Sequence, residues 1–233
     1  MAIDVAKVEI RSVSDASGLE DLVGSGRMAA DNIIAVIGKT EGNGGVNDFT
    51  RILSDQAFRA VLEKYGTRDE VAINEVPMVW SGGCDGVITP HATIFSRTTS
   101  DDPNGPERLV MGTAMSEVIL PEDIGRLAMV EKVVDGVKAA MIDAGITDVS
   151  DVHYVQTKTP LLTVDSISEA HTRGNTVACE VHNSMGISNG TTGLGIAVAL
   201  EETPMPTETD ICHNLKMDYF FYLILLILST SFY

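Results

Sequence analysis

Two apolar runs that each deliver a lysine, IIAVIGK at 33–39 and VHYVQTK at 152–158, lie 119 residues apart in a chain of 233. Solenoid repeats recur every 20–50 residues or so, so a period this long predicts duplication of a whole structural unit rather than a stack of small ones. IIAVIG is continuously apolar and bounded by a glycine-rich turn, which is the pattern of a strand covered on both faces. Each lysine therefore stands at a strand end. Two full periods need about 238 residues, so the second unit is expected to be incomplete.

Strand and helix signals alternate around these runs, which points to an α/β (α+β) fold. A first strand is read through Ile3, Val5 and Val8–Ile10, and Ser17 with Glu20 three residues on reads as a capping box opening a short helix that ends near Gly24. Phe49, Ile52, Leu53, Ala57, Phe58, Val61 and Leu62 recur at helical steps, predicting an amphipathic helix over 48–65, with Arg51 in its first turn. Further strands are expected at 71–80, 92–97 and 108–115, then a long helix from Pro121 to Gly145. The second unit repeats the theme with a strand at 152–158, a helix near 165–173 and a strand at TVACEV.

Sixteen Lys and Arg against 33 Asp and Glu leave a net charge of −17, a field that repels phosphate backbones and anionic lipid. Neither nucleic acid nor a membrane is expected as a partner. Cys84, Cys179 and Cys212 form no C-x-x-C pair, and the amino end lacks the pattern of a secretory signal, so thiols in a reducing, cytoplasmic compartment are expected. The five histidines show no metal-binding spacing, and no cofactor is expected.

Two segments carry chemistry. GKTEGNGGVNDFTR at 38–51 surrounds Lys39 with glycines, but the lysine precedes them, which is the wrong order for a phosphate-binding loop; a plain turn bearing a solvated lysine is the competing reading. WSGGCDGVITPH at 80–91 ends a strand on Ser81 and follows it with Gly82 and Gly83, small neighbours that let a ligand approach a hydroxyl and backbone N–H groups. His91 is read as structural rather than as a base for Ser81. A lysine in a polar cleft can itself serve as general base to a serine, so a Ser–Lys pair is a sufficient hydrolase without histidine or metal.

With GKTEGNGGVNDFTR, VWSGGCDGVITPHATIF, AMSEVILPEDIGR, VQTKTPLLT and SMGISNGTTGLGIAVALEE in place, the sequence resembles the cyanuric acid hydrolase and barbiturase family of ring-opening amidohydrolases over residues 3 to about 215. That resemblance implies pseudo-symmetric repeats of a mixed sheet with helices outside, normally three units round a central barrel, each giving Lys, Ser and usually Arg to one site. Here it implies one complete unit at 1–104, an incomplete one at 105–218, and no third. By the same resemblance Lys39, Arg51, Ser81, Gly82 and Gly83 bind and polarise a ring carbonyl, and Lys158 is the general base for a nucleophilic serine. Lys39 and Ser81 stand with Lys158 as catalytic candidates. Any family metal site would lie in the absent unit, and a homo-oligomer is implied for the full-length form.

Where cyanuric acid hydrolases typically read S-R-G-A-S, this chain has Ser188, Asn189, Gly190, Thr191 and Thr192. Asn189 and Gly190 thus occupy the ring-binding position, in the version that resembles barbiturase. Barbiturate replaces one ring NH of cyanurate by CH2, so one arm of a symmetric arginine clamp loses its fit, and asparagine is a shorter, neutral donor and acceptor. The expected activity is ring opening of barbiturate to a ureidomalonate-type product in pyrimidine catabolism, with cyanurate hydrolysis as the alternative.

From Tyr219 to Tyr233 the sequence runs YFFYLILLILSTSFY, which holds half of all the aromatic residues and no charge. Its ten-residue apolar run from Tyr219 to Leu228 falls short of the roughly 20 needed to span a bilayer. Family members continue at this point into a strand bearing the nucleophilic serine; Ser229 and Ser231 lack that context and are not assigned the role. A truncated sequence is therefore expected, and a non-catalytic binding or interaction protein is the reading from a different class.

Overall fold

The computed structural model describes residues 2–45, 47–84, 86–98 and 110–211. The chain forms two compact units, Met1–Thr113 and Ala114–Tyr233. Cys212 and the apolar tail at 219–233 lie outside the described residues, as do Ser229 and Ser231.

The first unit is a four-stranded mixed sheet with helices packed on it. Its strands are β1 (Ala2–Glu9), β2 (Ile33–Lys39), β3 (Met78–Ser81) and β4 (His91–Thr98), in the spatial order β1-β4-β2-β3. β4 runs antiparallel to both β1 and β2, while β2 and β3 are parallel, as strands joined through a helical crossover must be. The crossover contains α2 (Thr50–Tyr65) and the short α3 (Glu70–Asn74); α1 (Ser17–Gly24) joins β1 to the approach to β2. The α/β expectation of a mixed sheet with helices is met.

The core of this unit gathers Leu19, Ile33, Val36, Phe58, Leu62, Trp80 and Ile94. Phe58 meets Trp80 edge-on, with ring centroids 4.9 Å apart and an interplanar angle of 72°, the arrangement that sets a positive ring edge against a negative face. α2 buries Ser54, Phe58, Val61 and Leu62. Phe49, Ile52 and Leu53, expected on the same face, are exposed: at 3.6 residues per turn they point away from Phe58. Ser54 takes the inward place because its hydroxyl donates to the Val13 carbonyl at 2.7 Å.

Three other expectations for this unit are corrected. Ser17 and Glu20 form no capping box; Asp15 accepts from the Ser17 amide and hydroxyl, and Glu20 instead pairs with Lys64. The strand expected over 71–80 begins only at Met78, because Asp69 caps α3 by accepting from the Ala72 amide at 2.9 Å and Pro77 separates that helix from β3. Residues 110–115 belong to no strand.

The second unit, in its described residues, is helical: α4 (Leu127–Ala144), α5 (Val164–Thr172) and α6 (Ser184–Ala199). α4 starts later than Pro121, since Gly125 has φ +79° and a left-handed residue cannot continue a helix. It ends as expected on Gly145 at φ +74°. The strands expected at 152–158 and TVACEV are not formed among the described residues, where no neighbouring strand offers them hydrogen bonds. The sequence pattern gives no helix at α6, because its glycines are poor helix formers. Gly195 explains one of them: a Cβ there would lie 2.7 Å from Val133 Cβ and 3.0 Å from the Val130 carbonyl, so glycine permits the close α4–α6 approach. Ile124, Met129, Val130, Leu162 and Ile196 fill the core.

Candidate active site

The parallel register of β2 and β3 sets Lys39 opposite Ser81 at the carboxyl ends of both strands. Ligands in open α/β sheets bind beyond these ends, because the connections there are free to shape a site. The Lys39 ammonium donates to Ser81 Oγ at 3.1 Å and to the Gly82 carbonyl at 2.7 Å. Two of its three protons are thereby directed at β3 and the turn that follows. The turn is backbone-rich, and Gly83 takes φ +80°, a conformation that favours glycine.

The loop after β2 is tied to the same strand end. Thr40 donates its amide to the Ser81 carbonyl at 2.9 Å, and the Cys84 thiol donates to the Thr40 carbonyl at 3.1 Å. Thr40 Oγ1 and Thr50 Oγ1 share a hydrogen bond of 2.8 Å, which links the strand end to the start of α2. Arg51, in the first turn of α2 as expected, donates to the Gly45 carbonyl. Lys39, Ser81, Gly82 and Arg51 are therefore joined through one hydrogen-bonded framework, with Gly83 next in the chain.

Asp48 is the residue at the middle of that framework, and it was not singled out in the sequence. Its side chain is fully buried. The carboxylate accepts from the Gly44 amide at 2.9 Å, from the Thr50 amide at 3.0 Å and from Thr50 Oγ1, and stands 3.6 Å from Arg51 Nε. Burial alone pushes its pKa up, but the Thr50 hydroxyl, the Gly44 and Thr50 amides and the Arg51 charge outweigh that and hold it below the ordinary aspartate value. A Cβ at Gly42 or at Gly82 would sit 1.9 Å from an Asp48 carboxylate oxygen. These two glycines leave the room that the carboxylate fills. The signal in the sequence was an aspartate two residues before a helix start, a position where a carboxylate can accept exposed helical N–H groups.

His91 is across β2 from Ser81, since β2 lies between β4 and β3, and its Nδ1 is bonded to the Thr89 carbonyl at 2.7 Å. It is not next to Ser81.

In the second unit Lys158 is exposed, and its ammonium donates no hydrogen bond among the described residues. Its neighbour Thr159 donates to Asn189 Oδ1 at 3.1 Å, so the segment bearing Lys158 is fastened to α6 at Asn189. That bond uses the amide oxygen and leaves the Asn189 NH2 as the donor face of an exposed side chain. Gly190, the next residue, is buried. Among the described residues no three His, Cys, Asp or Glu side chains cluster so as to hold a metal ion, and no helix is long and apolar enough to cross a membrane.

This chain matches the family described as amidohydrolase ring-opening protein over residues 4–220. It belongs to that family. Barbiturase 2 of Nocardioides sp. strain ATCC BAA-499 / JS614 is 60% identical over 220 residues, covering 92% of this chain and 59% of that protein. Barbiturase 1 of the same organism is 57% identical, with coverages of 91% and 59%. The cyanuric acid amidohydrolase of Pseudomonas sp. strain ADP stands further off at 44% identity, over 87% of this chain and 57% of its own. A solved cyanuric acid hydrolase superposes with a TM-score of 0.85 at 42% identity, covering 91% of this chain and 60% of that one. The chain thus spans about three-fifths of the length of these ring-opening amidohydrolases.

Proposed function

We propose that this chain carries the first substrate-binding arm, and part of the second, of a hydrolase that opens barbiturate to a ureidomalonate-type product in pyrimidine catabolism. The observation that carries the reading is the Lys39–Ser81 contact of 3.1 Å at a strand end, on a chain 60% identical to a barbiturase. Lys39 and Arg51 orient the ring. Ser81 Oγ–H and the backbone N–H groups of the Gly82–Gly83 turn donate to a ring carbonyl oxygen, which gains negative charge as the carbonyl is attacked. Lys158 takes the proton of a serine hydroxyl; the serine oxygen bonds to a ring carbonyl carbon, the ring C–N bond breaks, and the nitrogen leaves protonated. Water then cleaves the acyl ester, so one water is consumed per ring opened. The serine that pairs with Lys158 is assigned to no residue of this chain. No metal or cofactor enters this scheme, and the setting is cytoplasmic, with a homo-oligomer as the assembled form.

The barbiturate preference rests on Asn189. With one lone pair of its oxygen taken by Thr159, it turns its NH2 donors to the ring, where cyanurate would bring a competing NH donor and barbiturate a CH2. Calorimetric titration of the purified chain tests the reading. Barbiturate should bind more tightly than cyanurate, and Lys39→Ala should abolish binding; tighter binding of cyanurate, or binding of neither ring, would sink it.

A further inference from the structure

We propose that Asp48 is the positioning residue of the first arm: its buried carboxylate sets the orientation of the Arg51 guanidinium and the spacing between the Gly44 and Gly82 peptides, and so the geometry that a ring carbonyl meets. The inference rests on the reading that Arg51 and Gly82 face substrate. Asp48 reaches three separate parts of the arm at once. It accepts the Gly44 amide from the loop, the Thr50 amide and hydroxyl from the start of α2, and it pairs with Arg51 Nε at 3.6 Å. On its other side it fills the space over Gly82, where a Cβ would come within 1.9 Å of Oδ2 and 2.7 Å of the Gly44 amide nitrogen.

A fully buried carboxylate is costly unless its lone pairs are satisfied and a cation stands near. Three donors and Arg51 meet that need, which fixes both partners at once. The guanidinium has its own second anchor in the Gly45 carbonyl, so Arg51 is held from two directions and enters a complex already oriented. Thr50 extends the effect to the strand end, since its hydroxyl also bonds Thr40, whose amide donates to the Ser81 carbonyl. One negative charge thereby sets the cation, the turn and the serine-bearing strand in register.

The test combines a spectroscopic readout with binding. In the full chain labelled with 15N-arginine, the Arg51 Nε–H signal, assigned with Arg51→Lys, is followed by hydrogen exchange while barbiturate is titrated by calorimetry. Asp48→Asn keeps the side chain's shape and removes its charge. The expected result is faster exchange at Arg51 Nε–H and at least about a tenfold loss of barbiturate affinity, the size of loss usual when a group that orients a ligating side chain is removed. Trp80 fluorescence should stay native. Thr50→Val removes one donor and should move both readouts the same way by less; it decides the matter if Asp48→Asn does not fold. Unchanged exchange at Arg51, or freed Arg51 with unchanged affinity, overturns the proposal. If the wild-type chain binds no barbiturate but Asp48→Asn still frees Arg51, the substrate reading has failed and the orienting role of Asp48 stands.

Discussion

Replacing Gly82 by alanine adds one methyl group at the most crowded point of the first arm. The new Cβ would lie 1.9 Å from Asp48 Oδ2, 2.7 Å from the Gly44 amide nitrogen and 3.0 Å from Gly44 Cα. Ordinary contacts need about 3.5 Å, and two of the three obstacles are backbone. The carboxylate cannot swing aside freely, because the Gly44 amide and Thr50 hold it. Forcing a methyl into such a place costs about 1–3 kcal/mol, and losing one charge-assisted hydrogen bond of Asp48 adds about 1.5–3 kcal/mol, so a destabilisation of about 2.5–6 kcal/mol is expected. Trp80 is the chain's single tryptophan and lies in the core of the first unit, so its fluorescence reports that unit's unfolding. With a urea dependence of about 2 kcal/mol per molar, the midpoint should fall by about 1.3–3 M. A midpoint within about 0.3 M of wild type, at the same slope, would refute the argument that Asp48 packs tightly over Gly82.

Phe58→Ala removes a core ring that is 1% exposed and stacked edge-on against Trp80; a loss of about 3–5 kcal/mol is expected in the same fluorescence assay. Glu122 is held to a pKa of about 2, first by its hydrogen bond from Arg173, then by its own backbone amide and by Asn175. Its folded value is depressed, so the stability it contributes is fully present above the ordinary value of 4.5 and is lost as pH falls through about 2. Glu122→Gln should therefore lower stability at neutral pH and flatten the acid dependence over that window; an acid limb identical to wild type in circular-dichroism melts would show that the pair is not formed in solution.

Much of the first unit could be read before any coordinates. β2 announced itself as a continuous apolar run and α2 by its helical spacing, since each pattern reflects burial along a single element. The strand-end positions of Lys39 and Ser81 were legible for the same reason, since such places are marked by glycine and by a change of period, whereas Arg51 stands out only through the family resemblance. The capping box at Ser17 was misread because Glu20 found a partner 44 residues away in Lys64, a choice invisible to local pattern. The second unit was harder, because strands were expected there from the return of the first unit's pattern, whereas a strand exists only when a neighbour completes its hydrogen bonds.

By itself, then, the sequence determined the α/β class, the position of the strand end that carries Lys39 and, through long stretches shared with its relatives, the family. Tertiary structure alone decided that Lys39 and Ser81 lie side by side, because parallel register is set by α2 and α3 packing back onto the sheet rather than by either strand. It also decided the part of Asp48. Nothing near Asp48 in the chain says that Gly82 leaves a space for its carboxylate, since that vacancy is created only when the loop after β2 folds down on the turn after β3.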